Sequence, residues 1–155
     1  MARSLAIDAQ LLVLLVVGLA SPEFIGKHRR LNAYTSDDFD LLRDLIARHT
    51  VVVVTPNALT EASNLLGYSN DPIKSQLFET LKALVGSVRE EYIESRLACD
   101  RDEFVRLGLS DAAFLSTDKD ECTLVTADLD LYLAALAGGH EAINFNHLRD
   151  AAGIV

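Results

Sequence analysis

Four acidic residues, spread over the chain, are candidates for one catalytic site: Asp8, Glu61, Asp111 and Asp128. Asp8 and Asp128 each follow a short apolar run that is typical of a buried parallel strand. Glu61 lies on the predicted helix after another strand, and Asp111 lies in the first turn of a later helix. Because open α/β sheets bind ligands outside the carboxyl ends of their strands, these four acids could converge on one edge of a sheet.

A carboxylate cluster of this kind predicts a site for Mg²⁺ or Mn²⁺. Hard Mg²⁺ prefers oxygen ligands, takes one or two carboxylates and keeps several waters. The bound ion lowers the pKa of a water and stabilises charge on a phosphate. We expect Asp8 and Asp128 to be direct ligands and Asp111 to bind the metal or a metal-bound water. Glu61 would hold the water shell or orient the nucleophile, and the Thr126 hydroxyl would fix the Asp128 carboxylate.

Each acid also has an ordinary structural interpretation. Asp8 could be a turn residue or helix cap, Asp128 an N-cap, and Asp111 a first-turn acid that complements the helix dipole. Glu61 belongs to a polar helix stripe that by itself predicts a solvated surface. The other members of that stripe are Asn57, Thr60 and Asn64. Only the joint order and placement of the acids favour an active site.

The elements that must position the acids follow from apolar patterns. Leu5, Ala6 and Ile7 form a short strand, and the four successive valines Val51–Val54 predict a strand in the sheet interior. The apolar stretch Leu11–Ala20 predicts a buried helix. A secretory signal is its alternative interpretation, and the stretch is too short to span a bilayer.

Strands and helices alternate along the rest of the chain. Further predicted strands are Thr123–Thr126 and Ala142–Phe145, and Tyr92–Ile93 is a possible short one. Helices are expected after the caps Ser36, Thr55, Asp100 and Ser110, after Asp71-Pro72, and over Leu131–Leu136 and His147–Ala152. The alternation predicts one α/β domain over residues 1–155, with a mostly parallel sheet and helices on both faces.

The composition limits the classes of function. A formal net charge of −9 argues against a protein that holds nucleic acid by bulk positive charge. One basic run is either a solvated loop or a phosphate-contacting patch beside the site. Its residues are Lys27, His28, Arg29 and Arg30. Cys99 and Cys122 fit a reducing cytoplasm as small buried side chains, and no Cys/His grouping has zinc spacing.

Four sequence pieces follow one another over nearly the whole chain. The first is Ile7-Asp8-Ala9, and the second is Thr55-Pro56 with Leu59-Thr60-Glu61 and Asn64-Leu65-Leu66. The others are Leu109-Ser110-Asp111-Ala112 and Leu124-Val125-Thr126-Ala127-Asp128. In this order they resemble a PIN domain of the toxin type, the ribonucleases of bacterial and archaeal toxin–antitoxin pairs. The resemblance implies a divalent-metal-dependent endoribonuclease, a homodimer and an antitoxin partner bound near the active site.

The resemblance carries the family's acidic positions over to Asp8, Glu61, Asp111 and Asp128. Thr126 matches a small hydroxyl residue, and Asp130 matches a further, more variable acid. Gln10 stands where the family often has Asn, so its role in positioning phosphate or water is open. Segment 71–106 carries no matching motif.

The alternative function is a catalytically silent domain of this fold that serves as a binding or assembly module. A phosphoacceptor receiver domain would need an acidic pair after the first strand, where only Asp8 is present. A phosphatase of the haloacid dehalogenase type would need an Asp at the position of Gln10. A P-loop would need a phosphate-cradling Gly-rich loop, which the sequence lacks.

Overall fold

A sheet of five parallel strands forms the centre of the structure, a computed structural model that describes residues 2–154. The ends of the predicted domain 1–155, Met1 and Val155, lie outside the described residues. The strands are β1 (Ser4–Ile7), β2 (Val52–Val54), β3 (Arg89–Glu90), β4 (Cys122–Thr126) and β5 (Glu141–Asn144). They are arranged in the order β3-β2-β1-β4-β5, and every neighbouring pair is parallel. The prediction of an α/β fold with a parallel sheet is confirmed, and the valine strand β2 lies in the sheet interior.

Helices connect the strands and cover both faces of the sheet. They are α1 (Ala9–Ala20), α2 (Ser36–Ala47), α3 (Pro56–Leu66), α4 (Ile73–Val85), α5 (Ser95–Cys99), α6 (Phe104–Leu107), α7 (Leu109–Leu115), α8 (Leu129–Ala137) and α9 (Phe145–Ala151). Two 3₁₀ helices, Pro22–Lys27 and Arg29–Leu31, follow α1. None of the helices within residues 2–154 has the length and apolar character needed to cross a membrane.

The two faces of the sheet follow from strand alternation. Leu5 pairs with Val52 and Ile7 with Val125, and these side chains join the core formed with α1 to α4. Ala6 and its register partners on β2 and β4 point to the other face, where α7 and α8 cover them. The register thus places the carboxyl ends of β1 and β4 side by side.

Helix α1 is the centre of the larger core. Residues 11–18 of this helix are all buried, which agrees with its apolar sequence on every side. Gly18 allows the close approach of α2, because a Cβ there would overlap the ring of Phe39. The prediction of a buried helix is therefore confirmed.

Several predicted boundaries are wrong in detail. Thr35, and not Ser36, precedes α2, and its backbone N–H donates to the Asp38 carboxylate at 2.8 Å. This contact forms a capping box, which fixes the helix start one residue earlier. The predicted strand at Tyr92–Ile93 is absent among the described residues. Strand β3 ends at Glu90, because only Arg89 and Glu90 have register partners on β2, although the Glu91 backbone N–H still donates to the Val54 carbonyl at 2.8 Å.

The short helices and one cysteine also differ from expectation. Asp100 ends α5, a helix that was not predicted, and Glu103 precedes α6. Ser110 lies inside α7, which begins at Leu109 after Gly108. Cys99 is exposed at the end of α5, whereas Cys122 is buried in β4 as predicted. Strand β5 begins and ends one residue before the predicted span, since Phe145 opens α9.

Substitution Gly18→Ala is expected to destabilise the protein by about 1–2 kcal/mol. The overlap with Phe39 costs about 1–3 kcal/mol and exceeds the gain in helix propensity, which is at most about 1 kcal/mol. Urea unfolding midpoints measure the difference. Gly26→Ala is the control, since no heavy atom lies within 4 Å of its added Cβ. Equal midpoints for Gly18→Ala and wild type would contradict the close approach of α1 and α2.

Candidate active site

The four predicted acidic residues line one pocket of about 370 Å³ beside the carboxyl ends of β1 and β4. The lining consists of Asp8, Ala9, Gln10, Tyr34, Glu61, Asp111, Ala127, Asp128 and Leu131. No Lys, Arg or His is among these residues. The pocket therefore gathers four carboxyl groups, and no basic side chain of its lining balances them.

The side chain of Asp8 is held by both neighbouring elements. One carboxylate oxygen caps α1 by accepting the Leu11 backbone N–H at 3.1 Å. The other oxygen accepts a hydrogen bond from the Thr126 hydroxyl at the end of β4. The same Thr126 oxygen accepts the backbone N–H of Asp128 at 3.0 Å. The expectation that Thr126 fixes the Asp128 carboxylate is wrong: the register of β1 and β4 places Thr126 beside Asp8 instead.

Burial raises the pKa of Asp8 to about 6. Desolvation is the largest cause, and the charges of Asp111 and Asp128 add to it. The hydrogen bonds from Thr126 and Leu11 act in the opposite direction and only partly compensate. Asp8 is thus a carboxyl group whose charge the fold alone does not fully stabilise.

Asp111, in the first turn of α7, has a pKa that is also raised to about 6. Its causes are desolvation, then the charge of Asp128, then that of Glu61. No hydrogen bond to the Asp111 carboxylate is found among the described residues. This half-buried acid therefore faces two other carboxylates without a donor of its own.

Asp128 and Glu61 complete the pocket lining. Asp128 caps α8 by accepting the Leu131 backbone N–H at 3.1 Å. Glu61 projects from α3 and accepts a hydrogen bond from the Ser110 hydroxyl at 2.9 Å. The ordinary interpretation of Asp8 and Asp128 as N-caps is therefore correct. Both capping side chains also line the pocket, so the same carboxylate caps a helix and belongs to the candidate site.

Other predicted site residues lie elsewhere. Asp130 is exposed and does not line the pocket, and Asn64 lines a neighbouring cleft. The Gln10 amide, which does line the pocket, donates to the Arg30 carbonyl at 2.7 Å. The remaining predicted side chains point away: Lys27 and Arg29 line a separate cavity, and the Arg30 guanidinium lies over the Tyr68 ring.

Tyr34 is a pocket residue that sequence reasoning missed. The Arg149 guanidinium lies 4.8 Å from the centre of its ring, and Arg149 also forms an ion pair of 2.7 Å with the fully buried Asp38. Phe145 contacts the ring from α9, with 6.5 Å between ring centres. Burial raises the pKa of Tyr34, so its hydroxyl stays protonated at neutral pH. It is a hydrogen-bond donor in a pocket of acceptors.

The donor set of the pocket fits a hard divalent cation. Its carboxylates supply only oxygen ligands. Desolvation chiefly raises the pKa values of Asp8 and Asp111, and repulsion between the acids, which a cation would relieve, adds to it. As they stand, no three His, Cys, Asp or Glu side chains within residues 2–154 are close enough to hold an ion between them.

Comparisons with known proteins do not identify the chain. No protein-family model matches the sequence. No curated protein matches it either. The interpretation of the pocket therefore depends on its residues and their geometry.

The raised pKa of Asp8 predicts a pH dependence of stability in metal-free protein. Its folded pKa, about 6, lies above the ordinary value of 3.8, so its contribution is present below pH 3.8 and is lost as the pH rises through about 6. Asp8→Asn removes this titration and keeps an N-cap of equal quality. Between pH 4 and 7, the stability of Asp8→Asn relative to wild type should rise by on the order of 2 kcal/mol.

Urea unfolding in EDTA across this pH range measures that difference. Because the two proteins share all other acids, the titration of the acids outside the pocket cancels in the comparison. Parallel stability curves for the two proteins would contradict the raised pKa of Asp8.

Proposed function

We propose that this protein is a metal-dependent endoribonuclease that hydrolyses phosphodiester bonds in RNA. The observation that carries the proposal is the pocket of four carboxyl groups with no basic lining residue, at the carboxyl edge of a parallel sheet. Such a pocket repels a phosphate unless a cation is bound between them. The resemblance to PIN-type ribonucleases supports RNA as the substrate.

Asp8, Asp111 and Asp128 are the residues that would hold Mg²⁺ or Mn²⁺, one or two of them directly and the rest through water bound to the ion. Asp111 has no other hydrogen-bond partner among the described residues, and one Asp128 oxygen caps α8 while the other is uncommitted. When bound, the ion supplies charge neutralisation and a water of lowered pKa. Asp8 is fixed by Thr126 and by the first turn of α1, so its carboxylate is pre-oriented toward the pocket.

Two further side chains, Glu61 and Tyr34, act on the attacking water and on the substrate. Ser110 fixes one oxygen of Glu61. The other oxygen accepts a hydrogen bond from the water and so orients the water toward phosphorus. The Tyr34 hydroxyl donates to a phosphate oxygen, since every carboxylate in the pocket can only accept. In hydrolysis the water oxygen forms a new bond to phosphorus as the P–O bond to the leaving group breaks. The water gives up a proton, and the leaving oxygen takes one up.

Single-stranded or looped RNA suits this protein better than a duplex. With a formal charge of −9, the protein has little cationic surface with which to hold two phosphate backbones. The resemblance to toxin-type ribonucleases further supports a cytoplasmic toxin, paired with an antitoxin that binds near the active site. The alternative is a catalytically silent binding module, which would need neither the uncommitted carboxylate oxygens nor a metal.

Asp8→Asn and Asp128→Asn should each lower the rate of RNA cleavage at least about a hundredfold. Each substitution removes a ligand charge at nearly constant volume, and Asn keeps the N-cap. Stability without metal should hold or rise, because repulsion between the carboxylates falls. The measurements are cleavage of a mixed RNA pool in Mn²⁺ or EDTA, and thermal melting of the same samples.

Asp40→Asn is the matched control, since Asp40 is exposed on α2 and does not line the pocket. It should cut at the wild-type rate. Cleavage that survives EDTA, or Asn variants at the pocket that cut as fast as wild type, would show that the metal-nuclease assignment is wrong.

A homodimer formed through α8 is part of the proposal. Three leucines on this helix are exposed at positions i, i+4 and i+7 and form an apolar stripe. They are Leu129, Leu133 and Leu136. Wild type should sediment as a dimer at tens of micromolar, about the range of a weak dimer. Leu133→Glu should shift it to monomer, whereas Leu19→Glu, at an exposed leucine of α1, should not.

A further inference from the structure

A second cleft, of about 770 Å³, adjoins the acidic pocket and shares Glu61 and Asp111 with it. One wall is the polar face of α3, with Asn57 and Asn64. Another part of the lining is the chain after β3, with Tyr92. A strand whose phosphate lies in the acidic pocket would place a neighbouring nucleotide in this cleft.

The walls of the cleft carry the chemistry that binds a base. Tyr92 is 77% exposed, and its hydroxyl donates to Glu90 at 3.3 Å, which holds the ring at one end. The side-chain amides of Asn57 and Asn64 have no hydrogen-bond partner among the described residues. An amide offers both a donor and an acceptor, as the edge of an unpaired base requires.

The same walls do not suit a phosphate backbone. No Lys or Arg is among the residues that line the cleft. Aromatic stacking tolerates any base, because every base has a π-face. The chemistry therefore favours the base side of a single strand over its phosphates.

We infer that this cleft binds an unpaired RNA base next to the scissile phosphate, with Tyr92 as the stacking platform and Asn57 and Asn64 on the base edge. The inference rests on the proposed function, because the shared residues Glu61 and Asp111 define where the strand is cut. It assigns to Tyr92 a contact with substrate, in a segment that carries no motif of the resembled family.

The absence of tryptophan from the sequence gives a direct readout. In Tyr92→Trp the new indole is the only tryptophan, so its fluorescence reports on the cleft alone. Tyr68→Trp is the matched control, because Tyr68 is exposed beside Arg29 and Arg30 and lies outside the cleft. Both proteins are titrated at low salt, in EDTA and in Mg²⁺, with a short unpaired RNA and with a strand of the same length that lacks bases.

The RNA should quench Tyr92→Trp saturably, and the abasic strand should not. Tyr92→Ala should bind the RNA about tenfold more weakly, which is the lower part of the range for one stacked base, and Tyr92→Phe should bind like wild type. Equal binding of the two strands would overturn the inference, as would unchanged affinity of Tyr92→Ala. If no RNA quenches the fluorescence of Tyr92→Trp, the inference is also overturned, and a protein segment becomes the expected occupant of the cleft.

The two proposals fail in different ways. If the RNA quenches Tyr92→Trp but is not cut in Mg²⁺, the nuclease assignment is wrong and the base site stands. If the RNA is cut and Tyr92→Ala cuts with unchanged KM and kcat, the base site is wrong and the nuclease assignment stands.

Discussion

The hydrogen bond from Thr126 to Asp8 joins the ends of the two central strands at the pocket. It exists because Ile7 pairs with Val125, so that the next residue on each strand emerges at the same edge of the sheet. Asp8 also caps α1, the most apolar helix of the chain. The position of one carboxylate thus depends on strand register, on helix capping and on the burial of both elements. A change to any of them moves Asp8 relative to Asp128.

The fold holds this pocket against an electrostatic cost. Asp8 and Asp111 have raised pKa values because they are desolvated and face other acids. The apolar core around α1 offsets that cost, since it fixes β1 and β4 regardless of the charge at their ends. A site that is unfavourable when empty has a free-energy gain available when a cation binds.

Much of the fold could be predicted from the sequence, because buried strands and helices have simple apolar sequence patterns. The valines of β2 and the apolar run of α1 admit few positions other than the centre of an α/β sheet. The acids could be placed together for the same reason, since strand ends meet at one edge. Local polar contacts were harder to predict: Ser36 and Thr35 are both good caps, and only the Asp38 carboxylate decides between them.

The role of Tyr34 could not be predicted, because it depends on contacts between distant parts of the chain. Arg149, near the carboxyl end, reaches Asp38 and lies over the Tyr34 ring. No periodicity or spacing marks three residues so far apart. The exposed position of Tyr92 could not be predicted either, because Tyr92 follows a two-residue strand that hydropathy does not distinguish from a loop.

On the proposed function, the distribution of charge explains how an acidic protein could bind RNA. Three cationic side chains have other partners and do not line the pocket: Arg29 and Arg30 lie against Tyr68, and Arg149 is paired with Asp38. The carboxylates are left together at the sheet edge, beside a cleft that has an exposed aromatic ring and no basic lining residue. On the proposed function, the phosphate is attracted only through a bound ion, and the base supplies the rest of the contact. Binding would then depend on the ion at the cut and on stacking beside it, so it should vary less with salt than binding by a basic surface.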